Sequence, residues 1–289
     1  MAKAKDYLDF IKIEHTLFAL PFAYTGAFLA ADGWFGYRIF FLILTAFTGL
    51  RVFAMSINRI IDREIDALNP RTSSRHLPKG IISVKEAYII AFLGLIVYFL
   101  SAYLINRTAF MLSPIPAITA WVYPYLKRYT CLSHFVLGLN LAYAPGGGWV
   151  AVTDSINIFG SEFIPFMLGI GIMFWVAGFD IIYALQDVEF DRKYGLHSIG
   201  AHFGSGVAKI VSAISHILFF SISAYTLLFH VERKVIPYGL AGIAMLLIFE
   251  HYIIREKYDE KKIQLAFFYS NAVISSLFLG TIILNVLLK

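Results

Sequence analysis

Asn58-Arg59-Ile60-Ile61-Asp62-Arg63-Glu64-Ile65-Asp66 sets a polar group at every fourth residue: Asn58, Asp62 and Asp66. At about 100° per residue the three fall within roughly 80° of one another, so on a helix they form a single stripe. A second stretch repeats the device: Asp180-Ile181-Ile182-Tyr183-Ala184-Leu185-Gln186-Asp187-Val188-Glu189-Phe190-Asp191, with Asp180, Tyr183, Asp187 and Asp191 on one face. Each stripe emerges from a strongly apolar run, where carboxylates are costly.

Around these stretches the chain is 59% hydrophobic and only 15% charged over 289 residues, with a mean hydropathy of +0.71. A soluble protein carries closer to about a quarter charged residues, so the fold class is an all-α polytopic membrane protein. Long apolar runs predict nine transmembrane helices, near residues 16–31, 38–60, 87–105, 109–125, 132–152, 163–185, 207–229, 235–254 and 265–288. Pro21, Pro114, Pro116 and the run Pro145-Gly146-Gly147-Gly148 fall inside them. Bundle packing can satisfy the backbone groups that such residues disrupt. With no linker-like stretch, one domain over residues 1–289 is expected, built as two sub-bundles of roughly 1–150 and 151–289.

A net charge of +5 would suggest nucleic acid in a soluble protein, but here Lys and Arg are expected to mark cytoplasmic loops, with no nucleic-acid role. With nine crossings, the N-terminus and the loops after the second, fourth, sixth and eighth helices share one side. That side holds most of the Lys and Arg, whereas the other has Arg38, Arg107, Arg233, Lys234 and Lys289. The crowded side should therefore be cytoplasmic. Both acidic stretches end helices on it, four crossings apart, so they can form one site. Cys131 is alone, which excludes an intrachain disulfide and a cysteine-based metal site. The basic N-terminus is not followed by a small-residue cleavage site, so no cleaved signal peptide is read. No heptad seam or soluble dimerisation segment points to an obligate protein partner.

Hard oxygen ligands without clustered His or Cys suit Mg²⁺ better than a transition metal. Because Mg²⁺ takes one or two carboxylates plus phosphate oxygens, two facing acidic clusters could hold a diphosphate between them. The bland alternative is that Asp62, Asp66 and Asp187 pair with Arg59, Arg63 or Arg192 in a solvated loop. Two such motifs on one side of a membrane favour the functional reading. A basic set surrounds them: Arg71, Arg75, His76 and Lys79 after the first stretch, Lys127 and Arg128 at a helix end, and Arg192, Lys193 and His197 after the second. Of these, Arg71, Lys127, Arg128 and Lys193 are the candidates for binding phosphate, the rest serving positive-inside anchoring. His15, His134, His216, His230 and His251 show no ligand spacing and read as packing or interfacial residues. Aromatic side chains lining a cavity could shelter a cation with their π faces, and the Tyr183 hydroxyl could reach a leaving group.

The pattern Asn58-x3-Asp62-x3-Asp66, Asn69-Pro70-Arg71-Thr72-x2-Arg75-x-Leu77-Pro78-x-Gly80, Asp180-x2-Tyr183-x3-Asp187-x3-Asp191 and Arg192-Lys193-x-Gly195-x2-Ser198-Ile199 resembles the UbiA superfamily of intramembrane aromatic prenyltransferases. Tyr123-Pro124-Tyr125-Leu126-Lys127-Arg128 is similar to a segment of its 4-hydroxybenzoate branch. The resemblance covers the first six helices; the last three match only in being hydrophobic. It implies nine helices around a central cavity with cytoplasmic-side cap loops, and a polyprenyl diphosphate bound with Mg²⁺ whose chain is transferred to an aromatic acceptor. Carried onto this chain, Asp62, Asp66, Asp187 and Asp191 would be metal-linked diphosphate residues, with Asn58 and Asp180 completing the stripes. The helix-1 entry, Lys12-x-Glu14-His15-Thr16-Leu17-Phe18-Ala19-Leu20-Pro21, looks closer to members associated with menaquinone routes, which leaves the acceptor open.

The expected chemistry is electrophilic aromatic prenylation in quinone biosynthesis, with Asp191 or the carboxylate nearest the ring removing a proton. Its partners would be the polyprenyl diphosphate, the acceptor and the lipid bilayer. Naphthoate, haem or glyceryl phosphate are rival acceptors within the family. An ion-coupled transporter or a purely structural membrane subunit are the rivals from other classes.

Overall fold

The computed structural model describes residues 4–12, 16–157, 160, 163–232, 234–255 and 260–288. Glu14 and His15 at the entry to the first apolar run, and Arg233, lie outside them. The described residues contain helices and no strand. They are α1 (Ala4–Ile11), α2 (Thr16–Ala31), α3 (Tyr37–Leu68), α4 (Val84–Ile105), α5 (Arg107–Leu112), α6 (Pro114–Leu126) and α7 (Ser133–Thr153). There follow α8 (Phe163–Ala184), a 3₁₀ turn (Leu185–Asp187), α9 (Val188–Tyr194), α10 (Ile199–Phe203), α11 (Ser205–His230), α12 (Ile236–Ile253), α13 (Glu260–Gln264), a π-helical segment (Leu265–Ser270) and α14 (Asn271–Leu287).

Seven helical runs among these are long and apolar enough to cross a membrane, which makes this an integral membrane protein. They are α3, α4, α7, α11, α12 and two composite runs, Phe163–Tyr194 and Lys262–Leu287. The other two expected helices are shorter: α2 has 16 residues, and the run expected at 109–125 is split into α5 and a 13-residue α6. The split falls where Pro114 opens α6, because proline has no N–H to continue a helix and suits a first turn.

Two local rules shape the ends that matter. α3 runs to Leu68, past the expected limit near 60, so the whole first stripe is helical. It stops because Pro70 disfavours helical backbone at Asn69, which is extended at φ −85° and ψ 119°. α8 tightens into the 3₁₀ turn, continues as α9, and stops at Gly195, whose φ of +68° is left-handed.

Packing then fixes the bundle. α8 is buried on most faces, with α7 and α11 packed against it. α2 lies on α7 so closely that a Cβ at Gly148 would collide with the Ala23 carbonyl, and a Cβ at Gly49 in α3 would meet the α4 backbone at Gly94. In lipid, where burial gives helices little reason to associate, such close backbone approach is what holds them. Outward-facing Ile89, Phe92, Leu93, Ile217 and Ile248 form the apolar surface a bilayer covers.

Candidate active site

The end of α3, the end of α6, the α8–α9 junction and the segment 69–82 meet at one end of the bundle. That segment folds back over both stripes. The Asn69 side chain begins the fold: its Oδ1 accepts from the Arg71 N–H at 3.0 Å, and its Nδ2 donates to Asp187 Oδ1 at 2.9 Å. Arg71 then clasps Asp187 with a two-point ion pair, its Nε 3.0 Å from Oδ1, and donates to the Tyr183 hydroxyl at 2.7 Å. Burial opposes the Arg71 charge, but Asp187 and Tyr183 more than offset it and raise the guanidinium pKa. Arg75 reaches both oxygens of Asp66 at 2.9 and 2.8 Å, and the Thr72 hydroxyl donates to the Asp66 carbonyl at 3.1 Å.

From α6, Lys127 pairs with Asp62, which is 2% exposed. Asn58 donates to Asp62 at 3.3 Å and to the Tyr123 hydroxyl at 2.9 Å. The other Asp62 oxygen, Oδ1, is buried with no hydrogen-bond partner among the described residues. Asp191 accepts from the Ser198 hydroxyl at 2.7 Å, and Asp180 meets His134 Nδ1 at 2.7 Å. The acids are thus paired, but with Lys127, Arg75 and Arg71 rather than with the helix neighbours Arg59, Arg63 and Arg192. Arg59 donates to the Phe10 carbonyl, Arg63 pairs with Glu64, and Arg192 binds the Ala201 carbonyl. These long-range pairs tie the two stripes to one cap.

Two candidates form no hydrogen bond or ion pair with the acids among the described residues. Lys193 is exposed, its ammonium 5.3 Å from the Tyr194 ring centre, away from the acids. The short α9 turns it outward, while Asp191 on the same helix turns in. Arg128 donates to the Ile61 carbonyl at 2.7 Å, bracing α3 against α6. Conversely, the structure brings in Asn69, Arg75 and Tyr123, which were not singled out. Tyr123 had a signal, since it stands one helical turn before Lys127 and shares its face. His134, read as a packing residue, is instead bonded to Asp180 across the α7–α8 interface.

Beneath the cap lies a cavity of about 600 Å³. Asn58, Arg71, Arg75, Tyr123, Asp180 and Tyr183 line its polar part, and Phe47, Leu50, Leu137, Leu141, Val176 and Phe179 its apolar part. The π-helical segment adds Phe267, Phe268 and Tyr269, with the Phe267 ring centre 4.3 Å from that of Tyr183 and the rings tilted by 33°. Arg51, two helical turns before Asn58, also faces this space. Among the described residues no group of three His, Cys, Asp or Glu side chains is placed to hold a metal ion.

The fold and site together define a helical membrane protein with a charged cap over a chamber whose walls are largely apolar. The particular class follows from relatives: the chain belongs to the UbiA prenyltransferase family, whose model matches residues 19–272, and is therefore an enzyme. A 4-hydroxybenzoate octaprenyltransferase of Nitrosomonas eutropha is 30% identical over 260 residues, 89% of this chain and 88% of the relative. The apo structure of a UbiA homolog from Aeropyrum pernix K1 is 33% identical, with a TM-score of 0.85 over 94% of this chain and 98% of that one. A UbiA homolog from Archaeoglobus fulgidus bound to GPP and Mg²⁺ shares the fold at a TM-score of 0.75 and 24% identity, covering 97% and 99% of the two chains.

Proposed function

We propose that this enzyme transfers a prenyl chain from a polyprenyl diphosphate to the ring of an aromatic acid of the 4-hydroxybenzoate type, in quinone biosynthesis. One observation carries the reading: residues of both acidic stripes and of the basic cap line the mouth of one cavity that continues into apolar walls. Such a chamber fits a diphosphate head with a hydrocarbon tail.

The donor set suits Mg²⁺. It is all carboxylate oxygen, the hard ligand type Mg²⁺ takes together with phosphate oxygens, and among the described residues Asp62 keeps a buried oxygen with no hydrogen-bond partner. Asp62, Asp66, Asp187 and Asp191 would hold it, and when bound it neutralises charge gathering on the diphosphate. The chain's own cations do the same work: Arg71, Arg75 and Lys127 stand where the leaving diphosphate accumulates charge. Asn58 and the Tyr183 hydroxyl orient it. Phe179, Phe267 and Phe268 exclude water that would quench an allylic cation and present π faces to it. Arg51, farther along α3, is a cation suited to an acceptor carboxylate.

In the membrane, we read α2 and the α5–α6 pair as the eighth and ninth crossings and set the cap on the cytoplasmic side, over a single domain. The alternation of helix ends supports this: the α3–α4 and α6–α7 connections lie at the cap, while Thr108 bonds Asp154 at the other end. Asp62→Ala and Asp187→Ala are each expected to abolish Mg²⁺-dependent release of diphosphate from geranyl diphosphate and 4-hydroxybenzoate, with the fold intact by size-exclusion chromatography. Full activity from either would sink the site. Running the same assay with naphthoate and glyceryl phosphate acceptors identifies the acceptor.

A further inference from the structure

His134 is the second residue of α7, 5% exposed, and none of the diphosphate chemistry above uses it. Its Nδ1 lies 2.7 Å from Asp180 Oδ2, while its Nε2 faces the Ile199 N–H at 3.5 Å. A ring nitrogen facing an N–H is an acceptor, so the proton sits on Nδ1 and is donated to Asp180. Ile199 in turn follows Ser198, whose hydroxyl holds Asp191. The imidazole is thus clamped between α8 and the first turn of α10.

Asp180 differs from the other acids. Asp62, Asp66 and Asp187 are each matched by a Lys or Arg, and Asp191 lies buried against Ser198. Asp180 has the His134 imidazole on one oxygen, and its side chain, 23% exposed, lines the cavity. It stands seven residues before Asp187, about 10 Å along the helix, below the diphosphate layer. Asp180 and Tyr123 both line the cavity, and a group below the diphosphate stands where the head of the prenyl chain would meet an acceptor ring.

Ring prenylation needs a base there. The C–O bond of the allylic diphosphate breaks with its electron pair leaving on the diphosphate, and a ring carbon uses a π pair to form the new C–C bond. The C–H pair of that carbon then restores aromaticity, and the proton passes to a base beside the ring. We propose that Asp180 accepts this proton and that His134 is the positioning residue that keeps its free oxygen turned to the ring. The proton passes to water when the products leave. This rests on the functional reading above.

The test uses the full-length enzyme with Mg²⁺, geranyl diphosphate and 4-hydroxybenzoate, either unlabelled or deuterated at the carbons beside the hydroxyl. Asp180→Asn is expected to lower kcat about 100-fold or more, the scale of a lost general base, with the KM for geranyl diphosphate unchanged. His134→Ala should lower kcat about tenfold, the scale of a lost orienting group, and reveal a primary isotope effect that the wild type lacks. His134→Asn, whose amide can donate from near the Nδ1 position, should restore most of the rate. A wild-type kcat in Asp180→Asn overturns the proposal, as does a rise in the KM for geranyl diphosphate, which would return Asp180 to the diphosphate layer. A loss in His134→Ala without an isotope effect or Asn rescue removes His134. If the wild type prenylates no phenol at all, the functional reading falls as well.

Discussion

Arg71 and Lys193 show how two cations can share a sequence neighbourhood with the acids and differ in use. Arg71 spends its guanidinium on Asp187 and Tyr183, with its face 5.0 Å from the Tyr183 ring centre, whereas Lys193 stands in solvent beside Tyr194. Arg71→Ala is therefore expected to lower kcat/KM for geranyl diphosphate by about 100-fold, the usual effect of removing an electrostatic stabiliser of a leaving group. Lys193→Ala should leave the KM for the diphosphate within about twofold, as an exposed charge outside the cluster would. Steady-state kinetics on the two variants checks both, and equal losses would contradict the arrangement. The acids themselves were legible in the chain, because a carboxylate in an apolar run has few reasons to exist. Their partners were not: Asp62–Lys127, Asp66–Arg75 and Asp187–Arg71 depend on how segment 69–82 folds back.

At the scale of elements, helix identity followed from hydropathy and helix contact from small residues. The run Pro145-Gly146-Gly147-Gly148 looked like a weak point, yet α7 passes through it unbroken. The glycines are not equivalent. A Cβ on Gly147 meets nothing within 4 Å, while one on Gly148 strikes the α2 backbone at Ala23. Gly148→Ala is accordingly expected to destabilise by about 1–3 kcal/mol, the range for overpacking a closed interface, and Gly147→Ala to be neutral or slightly stabilising. Thermal unfolding in detergent separates the two. The apolar run through Pro114 reads as one helix in the sequence, and neither the break there nor the π-helical segment at Leu265–Ser270 was anticipated. Its wider turn is held by tertiary placement, with Asn271 Nδ2 donating to the carbonyls of Ala266 and Phe267.

At the scale of the whole molecule, the cap and the opposite end differ in charge, and the proposed orientation follows from that asymmetry. In a Cys131→Ser background, Ser74→Cys on the cap and Ile156→Cys at the far end report it directly. A membrane-impermeant maleimide applied to intact cells should label Ile156→Cys at once and Ser74→Cys only after permeabilisation, and the reverse pattern would invert the topology. By itself the sequence determined the membrane class and the two acidic stripes, because hydropathy and helical period are local or additive properties of the chain. Only the tertiary structure decided which cation meets which acid, that Lys193 stays outside, that His134 holds Asp180, and that one cavity joins a polar mouth to apolar walls. Those facts depend on the distance between residues far apart in the chain, and no spacing along a single helix specifies what packs against it.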